Sequence, residues 1–285
     1  MIKFLPLIFI LLWSSAFITT KPIVDYSDPF AALSFRFFIV AIGFYLFSIF
    51  SKQKILADLK NILPSISTGI LFHGFYLGGV FYSISIGLPT GIAALIVTLQ
   101  PVLTNALAGP VLKEKVTWKK WLGVFLGFVG ATLVIGFDIG KSLPTVGILA
   151  AFISLISVTI ATLWQKKISN ALPLSTSNMY QAIGGFLFHL VIIIFLIQNP
   201  FIDFSTTFII AISHQILLVS FGAFTILMFL IKKNSASKTV SVFFLIPPTS
   251  AIMAWMFLGE NLNAIDIFGF IIATLGVYIS TREKD

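Results

Sequence analysis

Trp13, Ser14, His73, Tyr76 and Gln100 sit deep inside long apolar stretches, where a polar group is expensive and therefore informative. Indole, hydroxyl, imidazole, phenol and amide groups donate or accept hydrogen bonds without a fixed charge, which suits holding a small polar solute. His73 and Tyr76 lie three positions apart and share one helical face. Histidine alone among these titrates near neutrality, so His73 is the candidate for proton handling as well as binding. Tyr180, Gln181 and Ser220 are weaker candidates of the same kind. Each also has a structural reading. A serine can bond its own backbone, an aromatic can simply pack, a glutamine can bridge two helices, and a lone histidine can be a bonded core residue. Arg36 is the one cation inside an apolar run. It can attract a carboxylate, snorkel outward or hold neighbouring carbonyls. Pro101, Pro247 and Pro248 fall mid-run, where each removes a backbone bond, and they mark candidate hinges or gates.

Missing chemistry excludes other classes. There is no cysteine, so disulfides and thiolate chemistry are ruled out. The three histidines, His73, His189 and His214, fall on different runs at different depths, so no metal triad is expected. All ten acidic residues fall in loops or at run ends, which leaves no mid-membrane carboxylate as a proton relay. No phosphate-binding glycine loop is present. The expectation is neither an enzyme nor a cofactor protein.

The elements that position these groups follow from composition. Hydrophobic residues are 58% and charged residues 10% of the chain. A soluble fold of this length could not hide so much apolar surface. Ten apolar runs can each span a hydrocarbon core of about 30 Å: Phe4–Thr20, Phe30–Phe50, Ile62–Ile86, Gly91–Leu112, Trp118–Phe137, Pro144–Gln165, Leu174–Ile197, Ile209–Ile231, Thr239–Leu258 and Ala264–Ser280. The first also resembles a signal peptide ending at Ser14-Ser15-Ala16, but the apolar run continues past that point. With ten runs, fifteen of the eighteen Lys and Arg fall at the termini and in the even-numbered loops. Only Lys21 and Lys141 lie on the other side. Positive residues mark the cytoplasmic side, so both termini are expected there. The same asymmetry accounts for the net charge of +8 without a nucleic-acid partner. The expected partners are a lipid bilayer and a small-molecule metabolite, with monomer or homodimer left open.

A shift of 146 positions overlays Pro101 on Pro247, Glu114 on Glu260, Gly123 on Gly269 and Gly130 on Gly276. Each half, 1–141 and 142–285, then holds five runs. An odd number inverts one half relative to the other, the plan of many carriers. The expected fold is an all-α integral membrane protein of ten transmembrane helices in two inverted five-helix repeats. Small residues four apart, such as Gly123 with Gly127 and Gly269 with Ala273, predict close helix packing, within one molecule or across a dimer.

The residues that carry the repeat also carry a resemblance. Pro101-Val102-Leu103-Thr104, Lys113-Glu114, Trp121-Leu122-Gly123 and Gly130, with Pro247-Pro248-Thr249, Gly259-Glu260 and Gly269 to Gly276, resemble the signature of the EamA-type drug/metabolite transporter superfamily. Trp13-Ser14-Ser15-Ala16-Phe17 and Pro29 followed by Ser34-Phe35-Arg36-Phe37 are similar to its first- and second-helix patterns. Lys113 stands where the family usually has glycine. The resemblance implies a secondary carrier in a bacterial cytoplasmic (inner) membrane, usually an exporter of amino acids or other small metabolites. It also implies a central cavity lined by the spans that carry Trp13, Ser14, His73, Tyr76, Gln100 and Ser220. Aromatic, amide and hydroxyl groups suit a neutral or zwitterionic solute. A lipid or lipid-precursor flippase on the same fold is the alternative, and a membrane-embedded enzyme is a more distant one.

Overall fold

The computed structural model describes residues 4–135, 143–258 and 264–282. The expected boundary between the halves at 141/142 lies outside these residues, as do Asp138, Lys141 and Glu260. The described residues form ten helical rods. They are α1 (Leu5–Asp25), α2 (Pro29–Phe50), α3 (59–85), α4 (90–112), α5 (Trp118–Ile135), α6 (Thr145–Ile168), α7 (Leu174–Leu196), α8 (Thr206–Lys233), α9 (236–258) and α10 (Ala264–Arg282). Among the described residues no strand forms, and a single antiparallel bridge joins Ser27 to Ile202. Helices are the outcome that lipid enforces, because every backbone amide must be bonded within its own segment. Five rods, α1, α2, α6, α7 and α8, are long and apolar enough as unbroken helices to cross a membrane.

α1 runs to Asp25, five residues past the apolar stretch that ends at Thr20, and carries Pro22 within it. Lys21 and Asp25 pair one turn apart on this extension. α2 starts at a defined point because Asp28 Oδ1 accepts from the backbone N–H groups of Phe30 and Ala31, both at 2.9 Å, and Pro29 takes the first turn. Replacing Asp28 with Ala is expected to cost about 1 kcal/mol. Thermal unfolding in detergent should show a midpoint lower by about 2–4 °C.

Loop contacts reveal the alternation of the rods. The turn after α1 pairs with the loop after α7: Asp28 N–H donates to Phe201 O and Asp203 N–H to Tyr26 O. At the other end, Thr176 and Tyr180 at the start of α7 donate to Lys54 O and Ile55 O in the loop after α2. Lys166 at the end of α6 donates to Asn234 O after α8. Odd-numbered loops thus meet on one face, and even-numbered loops meet on the other, which carries most of the lysines.

The two halves pack reciprocally. A Cβ built on Gly123 would lie 2.6 Å from Gly276 O, and one on Gly130 would lie 2.5 Å from Gly269 O. The second contact is the first with the halves exchanged, as an isologous two-fold interface requires. The small-residue stripes of α5 and α10 therefore meet inside one molecule. Other neighbours exchange in the same way: α1 lies against α8 and α9, and α6 against α3 and α4. The chain is an all-α membrane protein built from two five-helix repeats. Lys113, the departure from the family's glycine, closes the last turn of α4 in the left-handed region at φ 59°. That is a conformation glycine adopts without strain.

Two irregularities recur at repeat-equivalent places. α3 passes through a π-helical stretch at Ile70–Leu77 and α8 through one at Gln215–Ala223. α4 breaks between Val97 and Gln100, just before Pro101, and α9 passes through a 3₁₀ turn at Val242–Leu245, just before Pro247. The mid-run prolines thus occupy the first turn of a new helix segment, where a missing N–H does no harm.

Candidate functional site

Side chains of the second half add hydrogen bonds to three backbone carbonyls of the π turn in α3. Ser157 donates to Leu71 O at 3.0 Å and Ser154 to Phe75 O at 3.5 Å. His189 Nε2 lies 2.9 Å from His73 O, a contact that requires the proton on Nε2. These bonds hold α3 in a register that aims Phe72, His73 and Tyr76 toward α1 and α8. π segments of this kind frequently mark functional sites.

Between α1, α2, α3 and α8 lies a cavity of about 40 Å³. Trp13, Thr20, Arg36, His73, Tyr76, Gln215 and Ser220 provide its polar lining, and the rest is apolar. Both π segments therefore face it. By helical rise, Arg36 begins about 10 Å in from the start of α2, so the cavity extends from mid-bundle toward the odd-loop face. The volume accommodates a few waters. Toward the lysine-rich face, Phe9, Trp13 and Phe243 pack ring against ring, with centroids 5.2–5.9 Å apart, and Phe72 packs on Phe224 at 5.3 Å.

Arg36 is the electrostatic centre. It is 2% exposed, yet its partners are neutral: Nε donates to Ser220 Oγ at 2.9 Å and Nη1 to Gln215 Oε1 at 2.6 Å. Its guanidinium also lies 5.2 Å from the Phe37 ring centroid. Gln215 is fixed from behind by donating to Ala16 O at 2.9 Å and Thr19 Oγ1 at 3.0 Å. Thr19 and Ser15 in turn meet His214, at 3.4 and 3.0 Å. A continuous polar chain thus runs from half-buried His214 to Arg36. Sequence reasoning missed Gln215, although an amide in an apolar run beside a histidine was the available signal.

The candidates from sequence separate into two groups. Trp13, His73, Tyr76, Ser220 and Arg36 converge on the cavity. The His73 ring packs between Phe37 and Phe224, with centroids at 4.3 and 4.5 Å. The others point elsewhere. Ser14 donates to Ile246 O at 3.2 Å, tying α1 to α9. Gln100 donates to Thr162 of α6 at 2.9 Å. Gln181 donates to Gln165 and Ser177, both at 3.1 Å, and Tyr180 to Ile55 O at 3.1 Å. These four are polar joints in the half of the bundle nearer the lysine-rich face. His73 and His189, assigned different depths from sequence, meet across α3 and α7 with the Phe37 ring beside both. Among the described residues no cluster of three metal-ligating side chains occurs. A second, more open cavity, of about 680 Å³, lies between α2, the start of α7 and α8, lined by Phe44, Phe47, Gln53, Ser175, Phe221 and Thr225.

A model of the EamA-like transporter family matches this chain twice, over residues 2–136 and 145–282. The chain belongs to the EamA-like transporter family. Its similarity to individual relatives is low and end to end. It is 25% identical to the "uncharacterized transporter YvbV" of Bacillus subtilis, over 96% of this chain and 90% of that one. It is 22% identical to a "probable amino-acid metabolite efflux pump" of Salmonella typhimurium, over 97% and 93%. A 26% identity to an "S-adenosylmethionine/S-adenosylhomocysteine transporter" of Chlamydia muridarum spans 48% of this chain and 42% of that one. One solved crystal structure shares the fold at a TM-score of 0.79 and 16% identity, covering 98% of this chain and 97% of that one. An EamA-like chain is a membrane transporter for small molecules.

Proposed function

We propose that this EamA-like protein is a secondary carrier that exports small neutral or zwitterionic metabolites, amino acids among them, by alternating access. The observation that carries the reading is a cavity bounded by π segments at equivalent places in two reciprocal halves. Exchanging the conformations of the halves would open the site to the other face, and the breaks before Pro101 and Pro247 are the hinges. The lysine-rich face is cytoplasmic, with both termini there, in a bacterial inner membrane. Export agrees with what the Salmonella relative's name states of that protein.

Counterflow in proteoliposomes tests this. Liposomes loaded with an unlabelled amino acid should transiently accumulate the same labelled amino acid, in a saturable way. Ohmic conductance, or scrambling of fluorescent lipid without solute exchange, would replace the carrier by a channel or a flippase.

A further inference from the structure

Arg36 is a buried cation with no counter-charge among the described residues. Among the described residues the ion pairs are Lys21–Asp25 and Lys60–Asp58, both at the ends of rods. Among the described residues no acidic side chain lines the cavity. Holding an uncompensated guanidinium at membrane depth is costly, and neutral hydrogen bonds offset only part of that cost. The bonds to Ser220 and Gln215 use Nε and Nη1, which fixes the plane of the fork. Nη2 has no partner among the described residues. Ser220 accepts from Arg36 and still has its own O–H to donate. His73, on the same cavity, leaves its buried Nδ1 without a partner among the described residues. The open Nη2, the Ser220 hydroxyl and the guanidinium charge together ask for a planar anion.

We propose that Arg36, with Ser220 beside it, is a carboxylate-binding subsite, and that the solute carried is an apolar monocarboxylate. This rests on the carrier reading, names the group the site recognises, and extends the solutes from amino acids to simple monocarboxylate anions. A carboxylate matches the guanidinium fork in shape and restores neutrality. A second carboxylate would find no cation among the lining residues and would be buried uncompensated, so dicarboxylates are rejected. The remainder of the solute meets Phe17, Phe72, Leu77, Val80 and Phe224, which favour an aliphatic or aromatic group. The cavity in this conformation is too small for such a molecule, so the halves part to admit it. The carboxylate can come from an amino acid or from a simple carboxylic acid, and the probes separate the two.

Purified full-length protein is tested by thermal shift against L-leucine, 4-methylpentanoate, the amides of both, and glutamate. One or both monocarboxylates should raise the unfolding midpoint, and the neutral amides and glutamate should not. Stabilisation by 4-methylpentanoate shows that the carboxylate suffices; stabilisation by L-leucine alone identifies an amino-acid site. Arg36→Gln should weaken the effective affinity for the acid by about 10–100-fold, as expected for loss of a charge-assisted contact. Arg36→Lys should recover part of it. If Arg36→Gln does not fold, the acid-against-amide comparison on the native chain and the Lys variant decide the matter. The proposal is overturned if amides stabilise as well as acids, if no monocarboxylate stabilises the native chain, or if Arg36→Gln responds like it. Counterflow then tests the carrier separately. An acid that binds through Arg36 but never exchanges sinks the transport reading and leaves the subsite standing.

Discussion

Gly276→Ala, the addition of one methyl group, is expected to be among the most destabilising small changes in this protein. A Cβ at that position would lie 2.4 Å from Gly127 N, 2.6 Å from Gly123 O and 2.9 Å from Gly127 Cα. All three are backbone atoms of α5, so no side chain can swing aside and the two helices must separate. Helix association in lipid depends on close van der Waals approach rather than on a hydrophobic drive, so separation forfeits the main attraction along the whole seam. Overpacking of this kind costs about 1–3 kcal/mol, or more where backbone must move. The unfolding midpoint in detergent should fall by about 2–12 °C. Gly109→Ala is the matched control: its Cβ would meet only Glu114 O, at 3.7 Å, and it lies within a helix segment. Alanine there is expected to be neutral or slightly stabilising, because it restricts the unfolded chain. Equal destabilisation by the two substitutions would refute the packing argument.

Glu114→Gln is expected to loosen the lysine-rich face. The Glu114 carboxylate, between α4 and α5, accepts from Ala236 N at 2.7 Å, Ser237 N at 3.2 Å and Ser237 Oγ at 2.8 Å. It clasps the first turn of α9 from the opposite repeat, and its charge favours that helix start. An amide replaces acceptor by donor at one of these positions and removes the charge. Charge-assisted hydrogen bonds contribute about 1.5–3 kcal/mol each. Losing one shifts the balance toward the state open on this face by about tenfold or more. The chain has no cysteine, so a single reporter needs no other change. Asn105→Cys, in the lower part of α4 and 2% exposed, should react with a membrane-impermeant maleimide faster in the Glu114→Gln background. Unchanged labelling, or slower labelling, would show that the clasp does not hold this face shut. Its repeat partner, Glu260, lies outside the described residues.

Much of the architecture was legible because lipid simplifies the code. Where every backbone bond must close locally, an apolar run about twenty residues long has essentially one fate. The ten runs reappear as ten rods among the described residues, five of them long and apolar enough as unbroken helices to cross a membrane. The glycine spacing at Gly123, Gly130, Gly269 and Gly276 pointed correctly to close packing, since only small residues let backbones touch. Whether these faces met within one chain was not legible, because the stripe on one helix does not name its partner. The π segments were invisible for a related reason. Their register adds a residue per turn without altering composition, and the groups that stabilise it, Ser154, Ser157 and His189, come from the other half of the chain.

Depth and direction mark the division most clearly. Hydropathy and helical rise determined from sequence alone that Trp13, His73, Tyr76, Gln100 and Gln181 lie inside the bundle and that the basic residues gather on one face. Rise along an axis says how deep a side chain sits but not which neighbour it meets. Only the packing of the rods decided that Gln100 turns to Thr162 and Gln181 to Gln165, as joints, while Tyr76 and Ser220 turn to the cavity. It alone joined Arg36 to Gln215, 179 positions away, and so placed a buried guanidinium on the wall of the cavity.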